Sequence, residues 1–162
     1  MKIIPWDQQY AEAIREIYQH GIDTGNATFE TVVPTWEKIN EKFLSHSRLL
    51  AIDNEIALGW AAIGSVSPRE CYSGVAEVTI YVHKDHHGKG IGKKLLQQLI
   101  FESEQNGIWS LLSVIHQENK ASIHLHEQCG FRIIGYRERI AKLNGTWRTT
   151  VMMERRSLVV GA

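Results

Sequence analysis

The residues of this 162-residue chain best suited to chemistry crowd into positions 77–100, EVTIYVHKDHHGKGIGKKLLQQLI. At the centre stands His87-Gly88-Lys89-Gly90-Ile91-Gly92, a glycine-rich turn with lysines around it. Glycine lets the backbone come close to a ligand. A helix that opens right after such a turn points its first N–H groups and the positive end of its dipole at an anion. Phosphate binding is the chemistry expected, with an ordinary strand-to-helix turn as the alternative. A dinucleotide fingerprint would need glycine at position 95, which is Leu95, and the Walker-type Lys-Ser/Thr spacing is also absent. Glu77, upstream of the turn, is a carboxylate able to take a proton, or else a sheet-surface group paired with a lysine or arginine. His83, His86 and His87 cluster without the cysteines or carboxylates of a zinc pattern, which points to a polar loop and to no metal.

These groups need a strand before the turn and a helix after it. Val78, Ile80 and Val82 alternate with Glu77, Thr79 and Tyr81, so the last three share one face of a half-buried strand. Beyond the turn, Ile91, Leu95, Leu96, Leu99 and Ile100 face inward and Lys93, Lys94, Gln97 and Gln98 outward, and Asn106-Gly107 closes the helix. Upstream come a short strand over 2–5, a helix capped by Asp7 and ended at Gly21, and a polar stretch over 26–31 too short to form an element. A helix opening at Pro34-Thr35 follows, then strands over 48–52 and 56–63 that turn at Asp53-Asn54, and a loop over 64–74. Downstream, 108–115 is nearly continuous apolar sequence and predicts a central strand buried on both faces. A helix over 121–128 stops at Gly130, and strands over 131–143 and 146–154 flank Asn144-Gly145, a type I′ hairpin signal. The expected architecture is one α/β (α+β) domain with a mixed sheet, spanning 1–162 with its core at about residues 2–155 and a short C-terminal tail.

Lys+Arg and Asp+Glu both number 18, which removes any general attraction to nucleic acid or to acidic membranes. No apolar run reaches bilayer length and the N-terminus has no signal-peptide core. Cys71 and Cys129 are isolated. A reduced, cytoplasmic protein with neither membrane nor nucleic-acid partner is expected.

The turn closely resembles the [Arg/Gln]-x-x-Gly-x-Gly/Ala signature of the GNAT N-acetyltransferases, with His87 standing where that family has Arg or Gln. A second stretch, Asn119 to Phe131, has the spacing of the family's Asn-x-x-Ala-x-x-x-Tyr-x-x-x-Gly-Phe, with Ser122 for alanine and His126 for tyrosine. Those two substitutions, with Asn26 to Glu30, Pro34-Thr35, Ser67-Pro68-Arg69, Gly74 to Glu77 and Asn144 to Trp147, are similar to the phosphinothricin and methionine sulfoximine acetyltransferases. The likeness runs from Ile3 to Glu154.

The resemblance implies the GNAT fold, a mostly antiparallel mixed sheet flanked by helices, with acetyl-CoA as co-substrate and no metal. The acetyl group would pass to the amine of a small amino-acid-like acceptor. The pyrophosphate would lie on His87, Gly88, Lys89, Gly90, Ile91, Gly92 and Lys93. The pantetheine arm would run along Ile80, Tyr81 and Val82, with a main-chain oxyanion donor near Tyr81 or Val82 and further contacts to Ser122 and to Asn119, for which a plain helix cap is the alternative. Glu77 would take the amine proton. His126 would either protonate the leaving thiolate or pack under the loop. Phe29, Glu30, Arg69 and Tyr72 would hold the acceptor, with Arg69 clamping a carboxylate and a surface hydrophobic staple as the alternative for Phe29. A homodimer is expected, with Trp36, Trp60, Trp109 and Trp147 serving either the interface or the core. Acetylation of protein N-termini or of another small amine, or a non-catalytic acetyl-CoA-binding module, are the alternatives. Glu77 and Arg69 speak against the last.

Overall fold

Seven strands form one sheet in the computed structural model, which describes residues 1–162. They are β1 (Lys2–Pro5), β2 (Leu49–Asp53), β3 (Ile56–Ser65), β4 (Val75–Val82), β5 (Ser110–His116), β6 (Arg132–Leu143) and β7 (Thr146–Arg156). Four helices complete the domain: α1 (Ala11–Asp23), α2 (Trp36–Lys42), α3 (Ile91–Gln105) and α4 (Lys120–Gln128). The strand order is β1-β2-β3-β4-β5-β7-β6, antiparallel throughout except between β4 and β5.

Alternation along the strands sends residues to two cores. Leu49, Ala51, Ala61, Val78 and Leu111 pack under Leu95, Leu96 and Leu99 of α3, with Phe131 beyond α4 closing the same core. Leu50, Ile52, Trp60 and Ala62 pack against Ile14, Ile17 and Tyr18 of α1, and against Ile39 of α2 with Phe43 after it. This second core is aromatic. Trp6 meets Trp60 edge-on at 5.3 Å, Trp60 meets Tyr81 at 5.2 Å, and Tyr81 stacks on Tyr18 at 5.0 Å.

The parallel contact is brief. It pairs Val75 with Ser110, Ala76 with Leu111 and Glu77 with Leu112, and then the strands part. β4 stays on β3 as far as Val82, and β5 stays on β7 as far as His116. A wedge therefore opens between two strands that each keep one full partner.

Several local expectations change in this setting. β5 is not buried on both faces: Leu111, Ser113 and Ile115 are buried, whereas Leu112 and Val114 are half-buried because their face meets the wedge. The β2–β3 turn falls one residue later, on Asn54 and Glu55 at φ 48° and 66°, since Asp53 still pairs with Ile56. Of the tryptophans, Trp60 is fully buried and donates from its indole to the Ile14 carbonyl at 3.0 Å, and only Trp147 is largely exposed. The C-terminal residues are held as well, because the Arg156 guanidinium donates to the Ser157, Val160 and Gly161 carbonyls at 2.8–2.9 Å.

Gly21 does not end α1. It lies inside the last turn because the Tyr81 ring presses on it: a Cβ there would stand 2.4 Å from Tyr81 Cε1. Gly21→Ala is expected to destabilise the fold by about 1–3 kcal/mol through overpacking, read by denaturant unfolding. Unchanged stability would show that the Tyr81 ring is not fixed there.

Candidate active site

The turn after β4 is built as an anion cradle. A single 3₁₀ turn over Lys84–His86 leads into it, and Gly88 and Gly90 both sit at φ 76°, a left-handed conformation that any side chain would strain. Gly90 is the N-cap of α3 and brings no side chain, so the unpaired N–H groups of the first turn face outward. Ile91 is buried in the core, which leaves only its main chain for a phosphate. Gly92 follows in the first turn against Leu125 of α4, and Lys93 is exposed beside it. Lys89 is exposed and its ammonium lies 3.3 Å from His86 Nδ1. The His87 ring points back into the loop, its Nε2–H donating to the Val82 carbonyl at 2.9 Å, so it braces the turn.

From the turn, the wedge runs back along β4. The His83 N–H donates to Leu58 on the β3 side at 2.8 Å. In an antiparallel ladder such residues alternate, so the Tyr81 and Thr79 N–H groups also face β3, and Val78, Ile80 and Val82 turn theirs into the wedge. Tyr81 is thereby removed as an oxyanion donor, and Ile80 and Val82 remain. An extended, amide-containing arm can pair with that free edge as an added strand would. The residues present thus fit a phosphate-bearing ligand with a pantetheine-like arm.

Glu77 stands at the apex, the last residue of β4 paired with β5. Its carboxyl reaches solvent through the mouth of a cavity of about 260 Å³ but is flanked by protein. That desolvation raises its pKa above the usual carboxylate value, and the positive charge of Lys42 opposes the rise. A carboxylate so placed is suited to accept a proton. The cavity lies between Thr79 and Tyr81 of β4, Val114 and His116 of β5, and the α1–α2 connection, which contributes Ala27, Thr28, Phe29 and Glu30. That connection has no regular structure and is pinned from the sheet. Arg148 of β7 donates to the Gly25 carbonyl at 2.7 Å and to Asn26 Oδ1 at 2.6 Å while pairing with Glu118 at 3.1 Å. Asn119 Nδ2 donates to the Asn26 carbonyl at 3.2 Å.

The second motif lines the cavity with Asn119, Ser122 and His126, but most of their polar atoms are spent on partners within the protein. Asn119 caps α4 by accepting the Ser122 N–H at 3.2 Å, so both ends of its amide are engaged. His126 is 1 % exposed. Its Nδ1–H donates to the Ser122 carbonyl at 2.7 Å, and its Nε2 accepts from the Ser113 hydroxyl at 3.0 Å. Burial lowers its pKa, against the pull of that carbonyl, which keeps the ring neutral. The one proton it carries is committed to a main-chain oxygen. His126 in this tautomer fixes Ser113 and packs edge-on against Phe131 at 5.0 Å; it does not present an acidic proton to the wedge.

Phe29 and Glu30 reach the cavity wall, and Arg69 and Tyr72 do not. Arg69 is exposed and lies over the Tyr72 ring at 5.5 Å. Tyr72 lines a separate groove with Val66, Val75 and Ser110, at the paired end of β4 and β5. The cation on the cavity wall is Lys42, a lysine at the end of a short helix that no sequence pattern marked out. Sequence reasoning also missed His116, three positions before the second motif, and Arg148 and Thr150, which are remote in sequence from both motifs. The histidine cluster gains an unexpected member: Glu16, His20 and His83 bring ligand atoms within 4.8 Å of one another. The Nδ1 atoms of His20 and His83 accept from the Lys84 and Asp85 N–H groups at 3.4 and 3.1 Å. A metal-binding imidazole donates from its second nitrogen, so these tautomers are the wrong ones for an ion.

The profile of the acetyltransferase (GNAT) family matches residues 11–131. The chain belongs to that family. It is 34% identical over 152 residues to a phosphinothricin N-acetyltransferase of Alcaligenes faecalis, covering 88% of this chain and 76% of the relative. It is 29% identical to the L-methionine sulfoximine/L-methionine sulfone acetyltransferase of Salmonella typhimurium, over 91% of this chain and 90% of the relative. Its fold superposes with a TM-score of 0.88 on a GNAT phosphinothricin acetyltransferase from Sinorhizobium meliloti in complex with AcCoA, at 27% identity, covering 96% of this chain and 87% of the other. This GNAT protein is an acetyl-CoA-dependent N-acyltransferase.

The raised Glu77 pKa sets a kinetic test of Glu77 as the proposed base. A base works only when deprotonated, so the acid limb of kcat/KM is expected above the ordinary carboxylate range and should vanish in Glu77→Gln with most of the rate. Lys42 favours the charged carboxylate, and Lys42→Met should therefore move the limb to higher pH. A limb that stays in place in Lys42→Met, or survives in Glu77→Gln, would assign it to another group.

Proposed function

We propose that this enzyme acetylates the α-amine of a small amino-acid-like acceptor of the phosphinothricin, methionine sulfoximine or methionine sulfone type. The observation that carries the proposal is the Glu77 carboxylate at the apex of the wedge, open to solvent yet flanked by protein and facing a cavity of about 260 Å³. That space is slightly below the usual range for small-molecule sites, ~300–1,000 Å³, and is on the scale of one amino acid. The acceptor class is supported by the relatives that bear those names.

In the proposed reaction both substrates are bound together. The α-amine attacks the thioester carbonyl carbon, the developing oxyanion takes the Ile80 or Val82 N–H, and Glu77 receives the amine proton. The carbon–sulfur bond breaks as the carbonyl re-forms, and coenzyme A leaves as its thiolate, which takes a proton from solvent. The acceptor carboxylate pairs with Lys42, the cation on the wall, in preference to Arg69. A thiol-release assay over a panel of amino acids, their sulfone and phosphinyl analogues, and short peptides tests the acceptor. Release with the analogues at a KM at least tenfold below that for peptides is expected. Release with peptides alone would make the protein an N-terminal acetyltransferase, and acetyl-CoA binding with no acceptor-dependent release would make it a binding module.

The cytoplasm is the proposed compartment, and no helix is long and apolar enough to cross a membrane. A homodimer is proposed through β6, a twelve-residue edge strand carrying exposed Ile133, Tyr136 and Ile140 beside Trp147 of β7. Such an edge is normally covered. Light scattering on the purified protein should give twice the chain mass and Tyr136→Lys should halve it. A wild-type mass equal to one chain would end this proposal.

A further inference from the structure

One wall of the cavity carries polar atoms for which the protein supplies no partner. His116, the last residue of β5, faces Thr150 across the β5–β7 pair. The two are 4 % and 2 % exposed, and both line the cavity. Neither ring nitrogen of His116 nor the Thr150 hydroxyl makes a hydrogen bond within the protein. Native structures seldom leave buried polar groups in this condition, and three such atoms on neighbouring residues beside a cavity point to a ligand that completes them.

The pair is held rigidly enough to recognise one. The Phe29 ring meets the His116 ring edge-on at 4.6 Å. Arg148 is not available as an alternative partner, since its donors go to Gly25, Asn26 and Glu118. Burial, followed by the charge of Arg148, keeps the imidazole neutral. The Thr28 main chain lies near enough to favour protonation, but at no geometry that makes a hydrogen bond. A neutral imidazole has one donor and one acceptor, and the threonine hydroxyl adds another of each. These match a polar, uncharged group bearing oxygen, such as a sulfone, sulfoximine or carboxamide.

We propose that His116 and Thr150 form a specificity subsite for the acceptor's side chain, reading oxygens on its tail by hydrogen bonds. This rests on the amino-acid acceptor proposed above and deepens it. Leu112, the partner of Glu77, precedes His116 by about 13 Å of strand on the same face of β5, and Glu77 and His116 line the one cavity. A site built to hydrogen-bond its substrate discriminates strongly against an analogue lacking the group, because its own polar atoms are then left unpaired.

The test compares methionine sulfone with methionine, which lacks the two oxygens. His116→Phe keeps an aromatic ring against Phe29. It is expected to raise the KM for methionine sulfone at least tenfold while leaving the KM for methionine the same or lower and the KM for acetyl-CoA within twofold, because methionine no longer leaves the imidazole nitrogens unpaired. Thr150→Val should act in the same direction with a smaller effect, and His116→Gln should recover part of the loss. Equal losses for the two acceptors, or none, would overturn the subsite. A second readout needs neither turnover nor a folded variant. The imidazole nitrogen resonances of His116 in the ¹⁵N-histidine-labelled wild-type protein should shift when methionine sulfone is added with coenzyme A. Resonances that stay put, as a resident water would leave them, overturn the proposal. A shift in an enzyme that acetylates none of these amino acids would uphold the subsite and reject the acceptor reading.

Discussion

Everything in this domain turns on the parting of β4 from β5 after a three-residue parallel contact. Main-chain groups buried without partners are costly, so a sheet that splits in its middle needs support from outside the gap. β3 and β7 give that support by holding β4 and β5 along their whole lengths. The two cores, one under α3 and α4 and one under α1 and α2, then clamp both faces. The edge left free on β4 is what a pantetheine-like arm can complete, and the turn at its far end offers main-chain N–H groups to phosphate.

The apex of the same wedge holds a carboxylate. Glu77 occupies the last paired position, where protein on both sides takes water from its carboxyl and the cavity mouth still admits solvent. The neighbouring Lys42 moderates the shift that burial imposes. The aromatic series from Trp6 through Trp60 to Tyr81 and Tyr18 stiffens this wall, and the close fit of Tyr81 on Gly21 ties it to α1. Opposite, the 26–30 segment has no secondary structure of its own and depends on Arg148 and Asn119 for its position. One wall is therefore packed and the other is tethered.

The legibility of these parts in the sequence follows the range of the interactions behind them. The β4–turn–α3 unit was fully readable, because alternation, the two glycines at positive φ and the amphipathic split of α3 are all properties of near neighbours. The second motif was readable as a pattern, and its chemistry was not. His126 reads equally as a proton donor or as a residue packed under the loop until Ser122 and Ser113 take both its nitrogens. The apolar run of β5 looked buried on both faces because nothing local records that β4 leaves it after Leu112. Arg69 was expected at the acceptor on the strength of its residue type, yet its loop lies along the paired end of the strands, outside the cavity.

The sequence by itself determined the family, the glycine-rich turn, the strand that carries Glu77 and the order of elements. Each depends on backbone conformation and side-chain periodicity over a few residues. Only the tertiary structure decided which charged and polar groups meet. Lys42 comes to Glu77, Arg148 to Asn26 across 122 positions, and His116 and Thr150 to a shared wall without partners. Burial, pKa and hydrogen-bond satisfaction are properties of a spatial neighbourhood, and in this protein that neighbourhood is created where two strands of one sheet separate.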